Sequence, residues 1–189
     1  MNTDYKKIYE KCFENSNYNL HDDEEPRFQY VKTFLDTNKI NNIIDIGSGR
    51  GNIINIVQNK IRQKIHITST DIKKFHNFDV PFYQINLAEN NFFDKLGNQT
   101  FDLLTCLDVL EHLEKSKIEE ILRNFKNISK YSILSIANHS DIQNNVELHL
   151  IQENEFFWNK NIEKYFEIIG FQKHYSDRLY IYKLKSKNE

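Results

Sequence analysis

Between Ile43 and Asn52 the chain reads IIDIGSGRGN, and three of its five glycines alternate within that stretch. Glycine weakens strands and helices unless the backbone needs a positive φ or a partner must come close. An apolar run through Asp45 and Ile46, followed by Gly47, Gly49 and Gly51, predicts a short strand, a tight turn open to a ligand, and a helix beginning at Gly51. N–H groups at such a helix start carry partial positive charge and can face a bound group. The spacing is GxGxG, distinct from the GxGxxG dinucleotide fingerprint. Taken alone, it also fits a purely structural turn, so its meaning depends on the rest of the chain.

Around this stretch lie further apolar runs too short for helices: Ile65–Thr70, Phe82–Ile85, Phe101–Leu107 and Tyr131–Ala137, with Asn42–Ile46 as the first. Helical periodicity falls between them, clearest in Ile118, Ile121, Leu122, Phe125 and Ile128. Strands alternating with helices predict a parallel sheet covered on both faces. Residues 4–38 predict two helices separated by the polar NSNYNLHDDEE. The second starts near Pro26 and carries Phe28, Val31, Phe34 and Leu35 on one face. HDDEE, His21–Glu25, reads as a solvated face or as the border of a site entrance. Near the C-terminus, ENEFFWNKNIEKYFEIIGF reads as a helix stopping near Gly170, with Phe156, Phe157 and Trp158 packed as core. Two strands, Gln172–Tyr175 and Leu179–Leu184, then flank SDR and close the sheet with an antiparallel pair.

The 189 residues fit one domain, with an apolar fraction of 39% and a charged fraction of 28% that suit a globular core. A formal net charge of −2 and no dense Lys/Arg block argue against long nucleic acid as a partner. Cys12 and Cys106 offer neither a disulfide framework nor a zinc spacing. No apolar run approaches a membrane span, and the charged start lacks a signal-peptide core, which together predict a cytoplasmic protein without a membrane partner.

Two further motifs bear chemistry. Asp71 ends the second apolar run, 24 residues after Gly47, where a carboxylate can accept from both hydroxyls of a ribose. Then, in FDLLTCLDVLEHLEKSK, Asp108, Glu111 and His112 stand at i, i+3 and i+4 and would share one face of a helical turn. Open α/β sheets bind ligands at the carboxyl ends of their strands. Two carboxylates and an imidazole there can hold a divalent cation, with oxygen donors favouring Mg²⁺.

In this order and spacing, IIDIGSGRG, STD and FDLLTCLDVLEHL resemble the class I S-adenosylmethionine (SAM)-dependent methyltransferases over roughly Arg27–Ala137. They are most similar to the subset with an acidic-x-x-Glu-His turn after strand 4, which includes ubiquinone-pathway O-methyltransferases. The resemblance implies an α/β Rossmann-like sheet, mostly parallel with a reversed C-terminal strand and an N-terminal helical lid. Residues 1–40 would form the lid, 41–137 the SAM-binding core, and 138–189 the acceptor loop, helix and closing strands.

That resemblance also implies a cofactor set. Gly47 and Gly49 would line the methionine portion of SAM, Asp71 its ribose, and Leu107 the edge of the site, with Asp45, Ser48, Ile72 and Leu87 completing the contacts. Asn86 stands where many relatives have an aspartate near adenine. Arg27, 20 residues before Gly47, matches an arginine that contacts the cofactor in this subset. Ubiquinone-type enzymes and small-RNA 2′-O-methyltransferases bind Mg²⁺ through a set like Asp108, Glu111 and His112. The RNA enzymes add a later histidine, matched here by His149, with His139 as the other candidate base. The implied function is methyl transfer to a hydroxyl of a small polar acceptor such as a sugar of a cell-surface glycan precursor. A quinone precursor, an RNA 2′-hydroxyl, or a non-catalytic SAM-binding role are the alternatives.

Overall fold

The computed structural model describes residues 5–14, 21–89, 92–143 and 145–187. The elements run α1 (Tyr5–Glu14), α2 (Pro26–Thr37), β1 (Asn42–Ile46), α3 (Asn52–Asn59), β2 (His66–Asp71) and β3 (Phe82–Gln84). There follow β4 (Phe101–Leu107), α4 (Lys115–Ile128), β5 (Ser129–Ala137), the short β6 (Ile142–Gln143) and β7 (Val146–Glu147), α5 (Glu155–Ile162), β8 (Phe166–His174) and β9 (Leu179–Ser186). A seven-stranded sheet has the order β3-β2-β1-β4-β5-β9-β8. Strands β1 to β5 pair in parallel, while β9 runs antiparallel to both β5 and β8.

Because successive side chains point to opposite faces of a strand, the central strands feed two cores. Ile44 and Ile46, with Leu104, Cys106, Leu134 and Ile136, pack under α4 and α5. Ile43, Leu103, Ile133 and Ile181 pack under α2 and α3. The same alternation puts Asp45 on the α2/α3 side, where Thr105 Oγ1 donates to its Oδ1 at 2.7 Å. On α2, Phe28, Val31, Phe34 and Leu35 are buried as their spacing predicts. The HDDEE segment is more than a solvated face. Asp23 accepts from the amides of Asn52 and Asn55 and pairs with Lys60 at 2.9 Å, fastening the approach to α2 onto α3. Among the described residues no helix is long and apolar enough to cross a membrane.

The C-terminal region departs from the sequence-based expectation. Helix α5 ends at Ile162, and the residues read as its continuation form edge strand β8, with Gly170 at a register irregularity inside it. Tyr165, Phe166, Ile168, Ile169 and Phe171 are aromatic or β-branched, types that favour a pleated, half-buried surface over a helix. Gly170 is needed for close approach and caps no helix: a Cβ there would lie 2.5 Å from the Tyr30 hydroxyl oxygen and 3.1 Å from Lys183 Cε. Trp158 is fully buried as expected, whereas Phe156 is exposed.

Gly170→Ala should therefore overpack the junction of α2 and the β8–β9 pair, costing about 1–3 kcal/mol and several degrees of melting temperature. Adding Tyr30→Phe, which removes the clashing oxygen, should recover a large part of that loss. Equal melting temperatures for the wild type and Gly170→Ala would show that Tyr30 yields without cost.

Candidate active site

The parallel strands deliver their carboxyl ends to one side of the sheet, and a cavity of about 890 Å³ opens there. The turn after β1 forms its floor. Gly47 N–H and Ser48 N–H both donate to Thr70 O at 2.9 Å, tying the turn to β2. Gly49 N–H donates to Asp71 Oδ2 at 2.8 Å, and Ile72 N–H donates to Asp71 Oδ1 at 2.7 Å. Gly47 has φ 72°, and a Cβ on it would lie 2.4 Å from Val109 Cγ2. Both the backbone conformation and the space demand glycine. Gly51 then caps α3 in a left-handed conformation, so the predicted helix starts one residue later, at Asn52.

Asp71 faces the cavity together with Gly47, Gly49, Ile72, Asn86 and Leu87. Burial pushes its carboxyl up to about 6, against the opposing effect of the two N–H donors. Each oxygen keeps a further lone pair for a ligand hydroxyl. Asn86 Oδ1 accepts from Ala88 N–H, which holds that side of the cavity in a turn. Leu107 lines the cavity at the end of β4.

A smaller cavity of about 30 Å³ adjoins the first and is lined by Arg27, Asp45, Gly47, Ser48 and Asp108. It has room for a water-sized polar group. Arg27 pairs with Asp108 and, at 2.9 Å, with Glu25, yet its Nε and the Ser48 hydroxyl are buried with no hydrogen-bond partner. Burial raises the Asp45 carboxyl to about 7. Unpartnered buried polar groups are costly in a finished core. A guanidinium N–H, a hydroxyl and two carboxylates suit the carboxylate and ammonium of an amino acid, so the donor set fits the methionine end of SAM.

At the other end, the DxxEH motif does not form one helical face. Asp108 takes a positive φ of 54°, and Leu110–His112 is a single 3-10 turn. Asp108 turns toward Arg27 and accepts from Ser135 Oγ at 2.6 Å. Glu111 turns inward, is fully buried, and accepts from Ala137 N–H at 2.7 Å, while its Oε2 has no partner. The residues that converge are Glu111, His112 and His149, whose potential ligand atoms all lie within 4.8 Å of one another. Asp108 is outside that group.

Backbone contacts hold the group together. Ile151 N–H donates to Glu111 O, and His112 Nδ1 lies 3.0 Å from Leu148 O, stitching the segment after β7 onto the turn after β4. His149 Nδ1 bonds His139 O. A carbonyl only accepts, so both imidazoles carry their proton on Nδ1, and Nε2 is the nitrogen left for a ligand or a proton. Burial and neighbouring His149 bring His112 down to about 4, and burial also lowers His149. Both rings are neutral at pH 7, as metal binding or proton removal requires. Burial lifts Glu111 to about 7. Glu147 supports the loop by accepting from Asp141 N–H and His149 N–H. Those bonds and one from Ser140 outweigh its partial burial and hold it at about 2. His139 lines the same cavity, its ring centroid 5.0 Å from that of His149.

Sequence reasoning missed the outer wall. Tyr9 and Phe13 of α1, with Tyr175 and Arg178 of the β8–β9 turn, also line the cavity, and so does His21, from the segment expected to be solvated or to border the entrance. Tyr175, Ser176 and Asp177 all have left-handed backbones, with φ of 54°, 55° and 66°. Three non-glycine residues in that region cost roughly 1–2 kcal/mol each, which marks the turn as strained. Nothing in the local sequence separates these side chains from ordinary surface or packing residues.

The strand order, with the last pair reversed, is the architecture of class I SAM-dependent methyltransferases. Residues 7–176 match the family model for the methyltransferase domain, and the chain belongs to that family. It is 26% identical over 155 residues to an uncharacterised protein of Methanocaldococcus jannaschii, covering 82% of this chain and 62% of that one. The chain thus spans less than two thirds of that relative's length. Among solved structures, a SAM-dependent methyltransferase from Clostridium acetobutylicum superposes with a TM-score of 0.67 at 12% identity, over 98% of this chain and 100% of the other. The 1,6-didemethyltoxoflavin-N1-methyltransferase of Burkholderia thailandensis, solved with its substrate and S-adenosylhomocysteine, gives 0.68 at 12% identity, over 97% and 89%. Structures sharing the fold include both N- and O-methyltransferases.

Since Gly47 has no room for a side chain, Gly47→Ala should displace Val109 or the turn itself. Calorimetry should show S-adenosylhomocysteine affinity reduced at least about tenfold, about 1.4 kcal/mol. Wild-type affinity in this variant would mean that the turn does not touch the cofactor.

Proposed function

We propose that this protein transfers a methyl group from SAM to a hydroxyl of a small polar acceptor, such as a sugar of a cell-surface glycan precursor, with help from a divalent cation. The observation that carries this reading is the convergence of Glu111, His112 and His149 in the same cavity as the Gly47 turn and Asp71. SAM brings an activated methyl group, so the protein's work is to align the acceptor in line, exclude water and take up a proton. Arg27 Nε and Ser48 Oγ would hold the cofactor carboxylate, Asp45 its ammonium, Asp71 the ribose hydroxyls, and Asn86 with Leu87 the adenine side.

An alcohol is a poor nucleophile until its proton is removed. With a cation held by His149 Nε2, His139 beside it is the base; without one, His149 Nε2, neutral and oriented through Nδ1, takes the proton itself. Glu111, His112 and His149 are also the residues that would hold a cation, which supplies Lewis acidity that eases deprotonation of a nearby hydroxyl. Two imidazoles and one carboxylate suit Mn²⁺ better than the Mg²⁺ suggested by an all-oxygen set. Asp108 instead acts on the cofactor side, through Arg27. A cation that chelates neighbouring oxygens favours a sugar or another diol as acceptor.

A screen of sugar nucleotides and diols, following SAM consumption with Mn²⁺ or with EDTA, tests this reading. Turnover should need the metal, and Glu111→Gln should abolish it while S-adenosylhomocysteine affinity stays within about twofold. Full turnover in EDTA would remove the cation and leave His149 or His139 as the base.

The cofactor end makes a separate pH prediction. Ribose hydroxyls donate to ionised Asp71, so binding favours the deprotonated carboxyl. As pH falls through about 6, Asp71 takes up a proton and S-adenosylhomocysteine affinity should drop. Asp71→Asn should bind more weakly by roughly 1–3 kcal/mol and lose that pH dependence. The same slope in wild type and variant would place the ribose elsewhere.

A further inference from the structure

Helix α1 sets a side chain against one member of the Glu111, His112 and His149 group, although it lies about a hundred residues away in sequence. The Tyr9 hydroxyl oxygen stands 2.6 Å from His112 Nδ1, the same nitrogen that lies 3.0 Å from Leu148 O. The Tyr9 ring meets the imidazole edge-on, with centroids 5.2 Å apart and planes at 84°. Leu148 O can only accept, while the Tyr9 hydroxyl can donate or accept, so this nitrogen is held between an oxygen on α1 and one on the segment after β7. Swinging the ring about its side-chain bonds would break one contact or the other. Together the two contacts fix the ring direction, and so decide where Nε2 points.

We propose that Tyr9 is a positioning residue for His112, so that the ligand group of Glu111, His112 and His149 is complete only when α1 is docked. Contacts at the far end of the helix hold it there. The Phe13 ring stacks on Phe75 at 3.9 Å, and Arg50 lies over Phe13 while donating to its carbonyl at 3.2 Å. Phe13 and Tyr9 are one helical turn apart and both line the cavity. Helix α1 thus touches the cofactor side through Phe13 and the acceptor side through Tyr9. Outer partners that orient a ligating imidazole usually alter metal affinity by 10–100-fold when removed.

Tyr9→Phe tests this with little change in packing, because the ring and its edge contact remain. The metal arm rests on the proposed function; the second arm does not. In the full-length protein, Mn²⁺ binding followed by electron paramagnetic resonance should weaken about tenfold or more in Tyr9→Phe, with S-adenosylhomocysteine affinity within twofold of wild type. In metal-free protein, long-range ¹H–¹⁵N spectra of the His112 ring should show the Nδ1–H tautomer in wild type and shifted ring-nitrogen signals in the variant. Unchanged His112 signals would overturn the inference, whatever the metal does. So would unchanged Mn²⁺ affinity in a wild type that binds the ion. If wild type binds no Mn²⁺ but the His112 signals shift, the positioning role stands and the metal reading falls.

Discussion

The site depends on the bonds between the turn after β1 and the end of β2. Three successive N–H groups, from Gly47, Ser48 and Gly49, are spent on Thr70 O and the Asp71 carboxylate. This holds the left-handed backbone that glycine permits in place and sets Asp71 against the glycines. It also brings Gly47 against Val109 at the start of the turn after β4. The parallel register of β1 with β2 and β4 makes these ends level, so one cavity can be lined from three strands. Loss of that register would separate the glycine turn from the turn after β4.

The end of the cavity at Glu111, His112 and His149 is organised by burial of ionisable groups instead of by backbone geometry. Glu111 is wholly buried and one of its oxygens has no partner, an arrangement that folding alone would not favour. Burial raises its carboxyl and lowers the two nearby imidazoles, so the group approaches neutrality at pH 7 without a bound ion. A cation would reverse the balance by favouring ionised Glu111 and using the Nε2 lone pairs. Desolvation of this kind is common at functional sites because it holds a group ready to change its charge.

Much of this was readable from residue order. Three glycines in a glycine-poor chain could mean only a constrained turn, and the apolar runs marked each central strand to within two residues. What failed was reading one residue type as having one purpose. Gly170 looked like a helix end, yet it serves a close approach by Tyr30, which is distant in sequence. The DxxEH spacing was visible, but a helical face was assumed, and the positive φ of Asp108 sends that carboxylate to Arg27. His149 entered the set by analogy of order, and the bonds of Leu148 O to His112 and of Ile151 N–H to Glu111 bring its segment beside those two residues. Tyr9 was invisible: an aromatic on an amphipathic helix carries no local sign of a partner so far along the chain.

A crystal structure with S-adenosylhomocysteine would test the central claim most directly, since that claim concerns where two halves of one site meet. The adenosine ribose should sit on Asp71, the amino-acid end beside Arg27 and Ser48, and the sulfur should face the gap toward Glu111, His112 and His149. A ligand bound with its sulfur turned away from those three residues, or bound outside this cavity, would contradict the account.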